Sequence, residues 1–158
     1  MTTLAYVRGA VLPTALALLP AKFTSDRALA LLLAIGLQES RFLYRRQVGG
    51  PAHGFWQFEE RGGCLGVLEH QATQPLLLPV CETLQVPATP TALYQAIVHQ
   101  DVLAAVCARL LLWPDPRVLP TELEVDKAWD IYLACWRPGK PHRETWLGCY
   151  QVGWSLVL

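Results

Sequence analysis

The stretch from Asp26 to Ser40, DRALALLLAIGLQES, constrains this chain more than any other. Read as a helix, it is apolar nearly all round, through Ala28, Leu29, Ala30, Leu31, Leu32, Leu33, Ala34, Ile35 and Leu37. A helix without a polar face must be wrapped by other elements. Ala28 to Leu37 is about half the length a bilayer span requires, so the spacing predicts a buried central helix and no membrane span. Thr24-Ser25-Asp26 supplies capping oxygens and a negative charge at its positive end. Its other end carries Glu39, where burial and the partial negative charge of the helix terminus both oppose ionisation. Two readings of Glu39 follow. It is a protonatable acid facing a site, or a charge that snorkels to solvent or pairs with Arg41, Arg45 or Arg46.

The rest of the chain supplies the wrapping. At 158 residues, 53% hydrophobic and only 16% charged, it is long enough to bury a core and reads as one domain, 1–158. Helices are predicted over 13–19, 26–40, 65–70, 74–84, 91–98, 101–113, 122–135 and 143–156, separated by Pro- and Gly-marked breaks. Between the second and third lies a basic connector, then Val48-Gly49-Gly50-Pro51 and the segment Gly54 to Glu59. Phe55 to Phe58 has β-like residues and reads as one strand of a small hairpin or an extended lip. The expected fold is mainly α, with several short helices around the buried one and a small β-hairpin near 54–59.

Other features narrow the function. Thirteen Lys and Arg balance thirteen Asp and Glu with no long basic run, which argues against a nucleic-acid partner. Met1 to Ala21 only faintly resembles a signal peptide, since Pro13 interrupts its apolar run and Arg8 is its one early cation. Five cysteines without regular spacing read as reduced, mostly buried thiols. The four histidines show no ligand spacing, and neither Gly-Gly pair has the flanks of a phosphate loop, so no metal or organic cofactor is expected. Trp146, Tyr150 and Trp154, at four-residue steps, read as a core stripe.

The order Gln38-Glu39-Ser40-Arg41-Phe42, a connector, then Gly54-Phe55-Trp56-Gln57-Phe58 resembles the catalytic core of the lysozyme-like superfamily, especially soluble lytic transglycosylases, goose-type lysozymes and their small bacteriophage variants. Asp130-Ile131-Tyr132 falls about where a third, aromatic motif would lie. The resemblance implies a lysozyme-like domain cleaving the β-1,4 bond of peptidoglycan glycan strands, with Glu39 as general acid and base. Ser40, Phe55, Trp56, Gln57 and Tyr132 would bind substrate. A hydrolase places its water with a second carboxylate, and Glu59 and Glu60 are the candidates, Glu59 first, or else solvated loop charges. Trp56 is bulkier than the residue usual in that motif, and the third motif lacks its usual Tyr-Asn pair. The resemblance further implies a protein made in a bacterial host's cytoplasm that acts at the cell wall or in a virion, with virion components as partners. Two rivals share the implied fold: a structural or wall-binding virion protein without turnover, and a chitinase-like hydrolase.

Overall fold

The computed structural model describes all residues, 1–158, and is mainly α-helical. Helices α1 (Thr3–Tyr6) and α2 (Leu12–Ala17) flank a π-helical turn, Val7–Val11. The wide turn sits just before Pro13, which has no N–H to return to the carbonyl four residues back; the Leu12 N–H reaches five back, to Val7. The chain was expected to be helical only from Pro13, because a proline there reads as a start. Here it is absorbed into a longer helical run.

Helix α3 (Asp26–Ser40) is the buried centre, capped by the Ser25 hydroxyl accepting from the Ala28 N–H. Around it lie α4 (Leu65–Glu69), α5 (Gln74–Thr83), α6 (Pro90–Ile97), α7 (Asp101–Leu112), α8 (Val125–Trp136) and α9 (Arg143–Ser155). Helix α9 runs closely along α3. Gly153 makes that approach feasible, since a Cβ there would stand 2.5 Å from the Ala30 carbonyl oxygen. Trp146, Tyr150 and Trp154 on α9 are all buried, as their spacing predicted. The buried apolar side chains form one contiguous cluster. No helix is long and apolar enough to cross a membrane.

The expected hairpin near 54–59 is absent, and with it the lysozyme-type mixed fold: the chain has no β-strand. Its place is taken by two isolated bridges, Arg46 with His53 and His53 with Phe58. His53 and Phe58 exchange both backbone hydrogen bonds at 2.8 Å, and Gly54 to Gln57 form the tight turn between them. Gly54 (φ 77°) and Gln57 (φ 55°) occupy the left-handed region, so the chain reverses within four residues. That reversal leaves the apolar pair Phe55-Trp56 in the turn itself, with no extended run to pair as a strand. Sequence composition cannot separate such a turn from a short strand, because burial of the same side chains satisfies both.

Candidate functional site

The C-terminal end of α3 is built by its own sequence. Arg41 (φ 55°) and Phe42 (φ 54°) both adopt the left-handed conformation, which costs non-glycine residues on the order of 1 kcal/mol each. The turn swings the Phe42 ring back over Gly36, where a Cβ would lie 2.1 Å from the ring. Ser40 fastens the turn: its hydroxyl donates to the Phe55 carbonyl at 2.7 Å and accepts from the Phe42 N–H at 3.1 Å. The indole of Trp56 donates to the Leu32 carbonyl, and that of Trp136 donates to the Trp56 carbonyl, both at 2.8 Å. Helix α3, the 53–58 turn and the end of α8 are thereby tied into one unit.

Glu39 projects from this unit. The Tyr132 hydroxyl donates to its Oε1 at 2.6 Å. Burial pushes the Glu39 carboxyl up from its ordinary 4.5 to about 7, against a smaller opposing effect of the Tyr132 hydrogen bond. The carboxyl therefore keeps its proton well above the pH at which an ordinary glutamate loses it. Burial also pushes the Tyr132 phenol up, so it remains a donor throughout. Tyr132 is held by a stacked contact with Trp146, 5.2 Å between ring centres and 11° between planes, and by Trp129 at 5.4 Å. The alternative reading, a pairing with an arginine, does not occur: Arg45 makes a bidentate bond to Asp101, 2.8 Å on each oxygen. Oε2 of Glu39 has no protein partner and is not sealed from solvent, since the only fully buried unpartnered side-chain polar atom is Nε1 of Trp154. One oxygen is held and one is open.

Of the residues expected to bind substrate, Tyr132 is brought to Glu39 and the others serve differently. Phe55 and Trp56 are fully buried and belong to the core, not to an exposed wall. Their apolar area drives the 53–58 turn inward, onto Phe42. Ser40 is also buried and spends its hydroxyl on the backbone. Gln57 stays at the half-buried rim, its Nε2 donating to the Gly54 carbonyl at 2.9 Å. Glu59 is exposed and precedes a π-helical turn at Glu60–Cys64, so the solvated-charge reading describes it. Trp136, one residue past the predicted 122–135 helix, closes α8 and bridges to the 53–58 turn. Its position four residues after Tyr132 was the signal that both share one helix face.

The reading as a peptidoglycan-cleaving lytic transglycosylase or muramidase is overturned. The fold is helical without a strand, so the sheet-bearing lobe that such a fold brings to its cleft is missing. No cluster of catalytic residues is assembled: Glu39 meets Tyr132 alone, and no three His, Cys, Asp or Glu side chains gather to hold a metal. Glu39 lines neither of two surface recesses, one walled by residues around Cys135 and the other by residues around Arg109. The wall-binding and chitinase-like rivals presuppose the same mixed fold and fall with it. Comparison with protein-family models, curated proteins and solved structures finds no match to this chain, so the resemblance rests on its two short motifs.

Proposed function

We propose that this is a binding protein whose recognition centre is the Glu39–Tyr132 pair, taking up a neutral ligand that presents a hydroxyl or an amide. The observation that carries this reading is the half-satisfied carboxyl. Oε1 is fixed by Tyr132, whereas Oε2 reaches solvent with no arginine or lysine to claim it. A protonated carboxyl offers one donor and spare acceptor capacity, which matches a hydroxyl or an amide. An ionised carboxylate offers only acceptors, and in this setting burial opposes it. The surrounding framework is rigid, with Tyr132 stacked on Trp146 and Trp136 bonded to the 53–58 turn, so little ordering accompanies binding.

The test uses the full chain with 13C-labelled Glu and 15N-labelled Trp. Glycerol and N-methylacetamide serve as neutral probes and acetate as the anion. Both neutral probes should perturb the Glu39 carboxyl and Trp136 indole signals, with apparent affinity falling roughly tenfold or more from pH 6 to pH 8.5 as the carboxyl ionises. Glu39→Gln should bind them equally at both pH values, and Glu39→Ala should not bind them. Equal binding by the parent at both pH values, or perturbations that spare Glu39 and Trp136, would remove the proposal.

A further inference from the structure

A second recess, of about 440 Å³, lies at the opposite end of α3. Four cations line it, Lys22, Arg27, Arg109 and Arg117, with the single carboxylate Asp115. That carboxylate is already engaged, since Asp115 accepts from the Nε, the Nη2 and the backbone N–H of Arg117. Arg109 is the unusual member. It sits in the last turn of α7, only 3% exposed, with no carboxylate partner. Its Nε donates to the Phe23 carbonyl at 2.9 Å, and its guanidinium lies 5.0 Å from the Phe23 ring centre and 5.8 Å from that of Trp113. The two Nη atoms have no protein acceptor, neither is fully buried, and Arg109 lines the recess.

A buried cation without a counter-charge is costly, and proteins ordinarily pair it. Ser25, the cap of α3, also lines the recess, so the positive end of a fifteen-residue helix adds to the field. Arg27 spends one Nη on the Leu119 carbonyl and keeps the rest of its fork free, and Lys22 stands over the Trp113 ring at 5.1 Å. A planar guanidinium fork presenting two Nη donors suits an oxyanion.

We infer that the recess bounded by Lys22, Ser25, Arg27 and Arg109 is a binding site for a phosphate group, either inorganic phosphate or the phosphoryl group of a small organic monoester. The charge matches, because a phosphate carrying between one and two negative charges meets three cations not committed to Asp115. The site is independent of Glu39: Ser25 and Glu39 lie about 21 Å apart along the helix.

Isothermal titration calorimetry of the full chain at pH 7.5, with chloride matched for ionic strength, tests the site with inorganic phosphate and with glycerol 3-phosphate. Saturable binding of at least one is expected, with no comparable signal from chloride. Lys22→Gln, a surface change, should weaken binding several-fold; Arg109→Gln should weaken it roughly tenfold or more. Arg109→Lys, which keeps the charge but loses the fork, should fall between and serves if Arg109→Gln does not fold. Tighter binding of the monoester identifies an organic phosphate, and equal binding identifies phosphate itself; both support the site. No saturable binding of either probe, or affinity unchanged in Lys22→Gln and the Arg109 variants, would overturn it.

Discussion

The two ends of α3 solve the same problem in opposite ways. At the C-terminal end a buried carboxyl can discard its charge by taking a proton, and burial moves Glu39 to about 7, inside the physiological range. At the N-terminal end burial moves Arg109 down only to about 10, so it remains a cation at neutral pH. A group that can neutralise itself answers to protons; a group that cannot must answer to a counter-ion. The helix dipole favours this division, with partial negative charge beside Glu39 and partial positive charge beside the recess. The comparison makes Glu39 the proton-linked site and Arg109 the anion-linked one.

The largest test of that division is the pH dependence of stability. Glu39 binds its proton more tightly folded than unfolded, with about 7 against an ordinary 4.5. Its contribution is complete below about 4.5, shrinks as pH rises because the unfolded chain ionises first, and is lost through about 7. The interval corresponds to about 3 kcal/mol. Urea unfolding at half-unit steps from pH 4.5 to 8 should show that decline in the parent and its absence in Glu39→Gln. Arg109 titrates outside this window and Asp115 is held below its ordinary value by Arg117, so neither adds a slope there. A decline of equal size in Glu39→Gln would move the proton-linked group elsewhere.

A smaller effect breaks one end while sparing the other. Gly36→Ala drives a methyl into the buried Phe42 ring, which the left-handed turn prevents from swinging away. A loss of about 2 kcal/mol is expected from this overpacking. The Glu39 carboxyl signal should shift, whereas phosphate binding at the far end of the helix should hold within twofold of the parent. Loss of phosphate binding in a folded Gly36→Ala protein would mean that the two ends are coupled through α3.

Much of the framework was legible because helical periodicity is local. The apolar run of α3 required burial, its Ser25 cap and Glu39 terminus followed from the same fifteen residues, and Trp146, Tyr150 and Trp154 announced a core face. Segment 54–59 was misread because Phe55, Trp56 and Phe58 favour strand and turn alike, and the decision lay in the left-handed Gly54 and Gln57. The glycan-cleaving reading failed for a related reason: two short motifs fix local residues but not the lobe across from them. The cationic recess was invisible for want of contiguity. Lys22, Arg27, Arg109 and Arg117 are spread over four segments, and a balanced overall charge conceals where the cations meet.

The smallest expected effect separates the two causes acting on Glu39. Burial raises its pKa and the Tyr132 hydroxyl lowers it by donating to Oε1. Tyr132→Phe removes the donor while keeping the ring that stacks on Trp146, so desolvation stays and the compensation goes. The Glu39 carboxyl should then titrate above 7, by an amount equivalent to about 1 kcal/mol. The pH window of declining stability should widen upward by the same interval, while the alkaline end of the parent curve stays flat. Titration of the 13C-labelled carboxyl in parent and Tyr132→Phe reads this directly. A shift downward would mean that Tyr132 excludes water from Glu39 more than it stabilises the anion. In that case the pair would be a hydrophobic seal with a proton attached, and the cationic recess at Arg109 would be the one ligand site left at the ends of α3.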